Sequence, residues 1–264
     1  MNNAAAFHAL HDKGFLLLPN AWDAGSARVI ETLGARAVAT SSAAVCWAHG
    51  YADGHHLPVD FLITTVTEIT RVVSIPVTCD FEGGYADDPA EVAGNIVRVI
   101  DAGAVGINIE DGNEPPERLA RKIAAVREAS ARARVNLFVN ARTDVFLKGL
   151  AEGEAAVAEA LRRGALYREA GASGLFVPNV VEEAHITAIA RGCGLPLNVM
   201  ARPGLPPAAT LEALGARRLS SATGLARAAL AALKTATTAF LETGDSEALG
   251  AAGGPPSDYN KLFL

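Results

Sequence analysis

Three cysteines, Cys46, Cys79 and Cys193, are all that this 264-residue chain contains, and none forms a CxxC pair or a short Cys/His ligand set. That scarcity argues against a disulfide scaffold or a zinc ribbon and fits a reducing, cytoplasmic compartment. Positive charge is also in short supply: 23 Lys and Arg stand against 29 Asp and Glu, for a formal charge of -6. No basic stripe of the kind that binds nucleic acid is present. The pairs Arg162-Arg163 and Arg217-Arg218 read as solvated helix faces. No apolar stretch reaches the roughly 18 residues of a membrane span. The opening MNNAAAFHALHDKG lacks the charged start and long apolar run of a secretion signal. The expectation is a protein with neither a nucleic-acid partner nor a membrane contact.

What the chain does have is apolar content. Half of its residues are hydrophobic and a fifth are charged, enough to bury a large core. The length suits one (β/α)8 barrel, a fold typically of about 250 residues, although two small domains would also fit. Short apolar runs alternate with amphipathic segments along the whole chain, the pattern of a parallel sheet covered by helices. Strands are expected at Phe15–Pro19, Ala37–Ser42, Val77–Asp80, Gly106–Asp111, Leu137–Asn140, Gly174–Pro178, Leu197–Met200 and Arg218–Ser221. Helices are expected near 26–33, 59–73, 89–103, 116–131, 154–170, 182–191 and 225–242, and a polar loop follows Ser42. A single α/β barrel domain over 1–264 is the reading, with 245–264 as a tail and a flexible break at Gly250–Pro256. An open doubly wound sheet is the alternative, because alternation alone does not prove closure.

In such barrels chemistry sits at the C-terminal ends of the strands. The third strand offers Asp80 and Glu82, and the fourth Asn108 and Glu110. The i, i+2 spacing puts each pair on one face, and neighbouring strands lie under about 5 Å apart. Three converging carboxylates repel one another unless a cation neutralises them, and Mg²⁺ suits an all-oxygen site. The plainer reading, helix caps or exposed loop acids, is preferred for Asp87, Asp88 and Asp111. Asp53 lies in a polar loop. Arg142 closes the fifth strand beside Asn140, where a guanidinium offers a two-pronged match to a carboxylate; an ion pair with Asp144 or another acid is the alternative. Ser41, Ser42 and Ala43 form a small-residue turn whose backbone N–H groups could approach a carboxylate or oxyanion, or simply make a good turn. The histidines carry little weight, and Cys79 and Trp22 read as packing.

These residues, taken together, resemble the isocitrate lyase/phosphoenolpyruvate mutase superfamily over nearly the whole chain. The matching segments are Pro19–Asp23, Thr40-Ser41-Ser42, Gly50–Asp53, Asp80–Tyr85, Asn108–Asp111 and Asn140–Asp144. The resemblance implies a Mg²⁺ (or Mn²⁺) site on Asp80, with Glu82, Glu110 and Asp53 as direct or outer ligands. It implies that the Ser41–Ala43 turn and Arg142 hold a substrate carboxylate, with Asn108 and Asn198 facing the substrate. It also implies a homo-oligomer, a dimer of dimers, whose eighth helix is exchanged between subunits. Several departures matter. The family's Asp-x-Asp is Asp80-x-Glu82 here. The Lys-Lys/Arg-Cys-Gly-His motif of isocitrate and methylisocitrate lyases is replaced by Gly112-Asn113-Glu114-Pro115-Pro116-Glu117. The Pro-Lys-Lys-Asn-Ser gate of the phosphonate mutases is absent, and the sixth strand ends Val177-Pro178-Asn179 without the glutamate of isocitrate-cleaving members.

The expected function is a Mg²⁺-dependent carbon–carbon lyase, working by retro-aldol cleavage or decarboxylation on a small 2-oxo or 2-hydroxy acid through an enolate. Asp53 or a metal-bound water moves the proton in this reading, with Glu114 as a lesser candidate. The alternatives are phosphonopyruvate-type P–C hydrolysis or mutase chemistry, and a metal-dependent 2-oxo acid binding protein with little catalysis.

Overall fold

A computed structural model describes residues 3–244, 246–253 and 258–264. Nine parallel strand segments run β1 (Leu16–Leu18), β2 (Asn20–Ala21), β3 (Val38–Thr40), β4 (Val77–Asp80), β5 (Gly106–Glu110), β6 (Phe138–Arg142), β7 (Gly174–Phe176), β8 (Leu197–Met200) and β9 (Arg218–Ser220). The sheet order is β1-β9-β8-β7-β6-β5-β4-β3-β2. Its two edges, β1 and β2, are consecutive pieces of one strand interrupted at Pro19, which lacks a backbone N–H. Pairing Leu17 with Leu219 and Asn20 with Ala39 therefore closes an eight-position barrel, and the open-sheet alternative falls away.

The helices are α1 (Asn3–Asp12), α2 (Ala24–Thr32), α3 (Ser42–Ala48), α4 (Val59–Val72), α5 (Pro89–Asp101), α6 (Pro116–Arg132), α7 (Gly153–Glu169), α8 (Glu183–Gly192), α9 (Ala208–Ala213), α10 (Gly224–Thr243) and α11 (Ser246–Gly253), with a 3₁₀ turn at Tyr259–Leu262. Local chemistry sets their starts. Asp23 and Ser26 form a reciprocal capping box on α2. Asp88 caps α5 by accepting from the Ala90 N–H at 2.7 Å, and Pro89 takes the first helical position.

Three helices differ from expectation. The loop after the second strand opens with α3, a short helix that its three alanines favour and that buries Ser42 through Cys46. The short α9 fills the β8–β9 connection. At the C-terminus, Gly250–Gly253 belong to α11 rather than to a flexible break, while Asp245 and 254–257 lie outside the described residues. Arg28 Nε donates to the Leu262 carbonyl at 2.6 Å, which fastens the last turn to α2.

Both arginine pairs assigned to solvent contain a buried member. Arg218 points into the barrel and is fully buried, and Arg163 is buried against Asp111 and Glu159. Strand alternation explains the first: Leu219 faces the helices, so its neighbours in β9 face inward.

The barrel interior is polar. Asn140 Nδ2 donates to Asn108 Oδ1 at 2.8 Å and to Asn198 Oδ1 at 3.0 Å, and Arg218 Nη2 donates to Asn108 Oδ1 at 3.3 Å. Helix α1 covers the N-terminal floor, where Phe7 and His11 pack on Phe138, the His11 and Phe138 rings stacking at 4.0 Å. Burial, reinforced by nearby Arg218, holds the His11 pKa down at about 3. The unfolded chain thus takes up a proton at about pH 6.5 that the folded chain refuses, so stability is lost as pH falls from 6.5 toward 3. His11→Gln is expected to flatten this part of the stability curve relative to wild type. Urea midpoints at pH 7, 5.5 and 4.5 check it, and parallel curves for the two proteins would refute it.

Candidate active site

The carboxylates stand at the C-terminal mouth because β4 and β5 end there. Asp80 pairs with Asn108 in register, and the Glu110 N–H donates to the Glu82 carbonyl at 2.9 Å. Asp80 is buried. Its Oδ2 accepts the Ser42 N–H at 3.0 Å, at the first turn of α3, and its own N–H donates to Thr40 Oγ1 at 2.8 Å. Asp80 Oδ1 is buried with no partner. Glu82 adopts a left-handed φ of 46°, which turns its side chain toward the 53–56 loop. There Glu82 Oε2 accepts the His55 N–H at 2.6 Å and faces His55 Nδ1 at 3.1 Å, while Oε1 accepts from the Tyr85 hydroxyl at 3.0 Å. Asp53 is exposed at the rim, with a carboxylate oxygen within 4.8 Å of ligand atoms on Glu82 and Cys46.

Glu110 meets Arg142 Nη1 at 2.7 Å. Burial pushes the Glu110 carboxyl up to about 8 against the pull of Arg142, and Asp80, Asp144 and Glu82 add to the rise. Burial likewise raises Glu82, against the pull of His55. Arg142 also grips Asp144 with two nitrogens, Nε at 2.7 Å and Nη2 at 3.2 Å, and its guanidinium lies 5.8 Å from the centre of the Phe176 ring. Burial works against its charge, yet Glu110 and Asp144 together hold its pKa above the ordinary value.

Asp111 is not the exposed loop acid expected. It is buried: Oδ1 accepts the Asp144 N–H at 2.9 Å, and Oδ2 accepts from Arg163 at 2.9 Å and the Tyr167 hydroxyl at 2.5 Å. This network runs from α7 to Asp144 and so sets where Arg142 points. Sequence reasoning missed it because its members are spread over more than fifty positions; the one local hint was Asp111 directly after Glu110 at a strand end. Asn108 and Asn198 lie within the barrel, hydrogen-bonded through Asn140, while Ser41, Ser42 and Ala43 flank Asp80 at the start of α3. His49 bonds Thr65 at 2.9 Å and packs on Phe61.

The carboxylate oxygens and the unpartnered buried oxygen of Asp80 suit a hard divalent cation, and the neighbouring Cys46 thiol, pushed up to about 11 by burial, stays protonated beside them. Asp80 is the acid at this mouth whose free oxygen is buried. Both oxygens of Glu82 are already engaged, so it suits an outer role through water. A cavity of about 740 Å³ opens outward from Glu110, bordered by His55, Tyr85, Asn113 and Lys122.

An eight-position parallel barrel with an acidic, arginine-flanked mouth defines the class of the protein: a TIM barrel whose candidate site lies at the strand C-termini. The chain belongs to the phosphoenolpyruvate phosphomutase family, whose profile matches residues 7–241, within the PEP mutase/isocitrate lyase superfamily. It is similar to a candidate phosphonomutase of known structure from Burkholderia cenocepacia J2315, at 40% identity and a TM-score of 0.86, covering 89% of this chain and 99% of that one. It is 34% identical over 222 residues to an uncharacterized Mycobacterium tuberculosis protein, covering 82% of this chain and 81% of the other. It is 30% identical over 236 residues to 2,3-dimethylmalate lyase of Eubacterium barkeri, covering 81% and 78%. Members of the superfamily are lyases, mutases or hydrolases, and this chain is an enzyme. Among the described residues no helix is long and apolar enough to cross a membrane.

Proposed function

We propose that the chain is a Mg²⁺-dependent carbon–carbon lyase that cleaves a small 2-oxo or 2-hydroxy carboxylic acid, by retro-aldol reaction or decarboxylation, through an enolate. The observation that carries this is the buried, unpartnered oxygen of Asp80 at a mouth shared with Glu82, Glu110 and Arg142. Asp80 would hold the cation directly, and Glu82, Glu110 and Asp53 would hold its waters. Mg²⁺ (Mn²⁺ would serve in the same donors) supplies Lewis-acid polarisation of the substrate's carboxylate and adjacent oxygen.

The protein's own groups do the rest. Arg142 receives the carboxylate with a fork already oriented by Asp144. The Ala43 backbone N–H, in the first turn of α3 where a helix leaves its N–H groups without internal partners, is the donor available to developing negative charge, since the Ser42 N–H is held by Asp80 Oδ2. Asn108 and Asn198 fix the barrel wall beneath the substrate through Asn140. Asp53, exposed at the rim, takes the proton from a 2-hydroxyl in retro-aldol cleavage and returns it to the enolate carbon; in decarboxylation it supplies only the proton that quenches the enolate. The lyase name of the Eubacterium barkeri relative agrees with this chemistry.

The likeness to the candidate phosphonomutase favours a second reading, P–C bond chemistry on a phosphonopyruvate-like acid. Product analysis by NMR with alkylmalates, oxaloacetate and phosphonopyruvate decides. Pyruvate or another 2-oxo acid from the first two supports the lyase. Phosphate or phosphoenolpyruvate from the third, with the first two inert, would replace it.

The proposal extends to assembly and place. Helix α10 has one buried residue, Ala226, while Leu230, Leu233, Phe240 and Leu241 are exposed. So apolar a face needs a partner, and exchange of α10 between subunits of a dimer of dimers would cover it. Light scattering at micromolar concentration should show a multiple of 27.3 kDa, and a monomer would refute the exchange. Three buried free cysteines accord with a reducing cytoplasm.

A further inference from the structure

The barrel floor, at the end opposite the acidic mouth, has a second pocket. It measures about 410 Å³ and is lined by His11, Arg191, Gly194, Leu195, Gly215 and Arg217, with four further apolar residues and no carboxylate. Its rim comes from the turns leading into β8 and β9 and from α1 beneath them. Arg71, Arg98 and Arg162 on the helical faces all meet carboxylates. By contrast, neither Arg191 nor Arg217 has an ion-pair partner among the described residues, although Arg217 is half-buried.

His11 closes the inner wall, with only 3% of its surface exposed. Its Nδ1 lies 2.8 Å from the Phe7 carbonyl, which accepts only, so Nδ1 carries the proton. Nε2 is then a bare acceptor, buried and without a partner. Arg218, whose charge acts on His11, is fully buried, and its Nε and Nη1 also lack partners. Buried polar groups and unpaired charges of this kind are costly unless something satisfies them. The floor therefore combines two unpaired guanidinium groups at its rim with a wall that includes His11, whose buried Nε2 has no partner.

We infer that this floor pocket binds a small oxyanion of the phosphoryl class, held by Arg191 and Arg217 and oriented by His11. Guanidinium forks match the paired oxygens of a phosphoryl group. The His11 Nε2 lone pair selects an anion that still carries a hydroxyl. Hydrogen phosphate and a protonated phosphomonoester have one; sulfate and chloride do not. The volume falls within the roughly 300–1,000 Å³ of small-molecule sites, so a phosphate ester with a short organic arm also fits.

Calorimetry and thermal melts of the full chain test this, with inorganic phosphate, glycerol phosphate, sulfate and chloride at matched ionic strength. Wild type should bind one phosphate per chain, at least tenfold tighter than sulfate. The Arg191→Ala/Arg217→Ala double variant should lose at least tenfold in phosphate affinity while keeping its phosphate-free melting temperature and its Mg²⁺ affinity. Tighter binding of glycerol phosphate would assign the site to a phosphomonoester, and tighter binding of inorganic phosphate to the free anion. Arg142→Lys separates the two ends of the barrel, since floor binding should survive it. Unchanged phosphate affinity in the double variant, or equal stabilisation of wild type by phosphate, sulfate and chloride, would overturn the site.

Discussion

Asp80→Asn and Asp80→Ala are both expected to abolish divalent-cation binding in a barrel that still folds. Asp80 is the acid at the mouth with a buried oxygen that nothing in the protein satisfies, and that oxygen is where a cation gains most. Substitutions in the outer shell of a metal site typically cost about 10–100-fold in affinity. Loss of the direct ligand should cost more than that, so Mg²⁺ affinity should fall by over about two decades. Folding should be affected little. Asparagine keeps an oxygen for the Ser42 N–H and relieves repulsion from Glu82 and Glu110. Alanine leaves the Ser42 N–H unpaired, at roughly 1–3 kcal/mol, and should melt a few degrees lower. Mg²⁺ titration by calorimetry alongside thermal melts gives both readings. Unchanged affinity in either variant would remove Asp80 from the site, and with it the proposed lyase chemistry.

The strand plan was legible because each inner strand is a short apolar run ending in polar residues, and β4, β5 and β8 end at or within one residue of where the pattern puts them. Strands buried on both faces leave that signature. What escaped was whatever depends on which way a side chain turns inside the barrel. Arg218 looks like half of an ordinary surface pair until the register of β9 points it inward. Asp111, Arg163 and Tyr167 give no joint signal, since a strand end and the middle of a helix meet only after α7 packs against α6 and the barrel. Helix α3 was hidden by Gly50, Asp53 and Gly54, which made the whole connection look like loop. The carboxylates were visible as candidates from their spacing. Their division of labour was not, because the left-handed φ of Glu82 that delivers its side chain to His55 and Tyr85 is a backbone property of a glutamate, where sequence gives no warning.

Arg142→Lys is expected to weaken binding of a 2-oxo acid and to lower stability in the same variant. The sequence posed these as alternatives: a fork for the substrate, or an ion pair with Asp144. The structure gives Arg142 the ion pair, with both Asp144 oxygens held, and adds Glu110 on the third nitrogen. Asp144 is fully buried, so lysine cannot replace what is lost: a single ammonium supplies a point charge where two parallel N–H groups were seated. Each hydrogen bond to a charged group is worth roughly 1.5–3 kcal/mol. Losing one inside the pair should lower the melting temperature by roughly 3–12 °C for a chain of this size. Losing one to the substrate carboxylate should cost about one to two decades in oxalate or pyruvate affinity. Mg²⁺ affinity should change far less, because Arg142 offers the cation no lone pair. Asp111→Asn then separates the two roles. It keeps the guanidinium but weakens the charged anchor that Arg163, Tyr167 and the Asp144 N–H share, so it should lower stability with a smaller loss of oxalate affinity. If Arg142→Lys melts lower yet binds oxalate as wild type does, Arg142 is a structural pair alone and the carboxylate must be received elsewhere at the mouth.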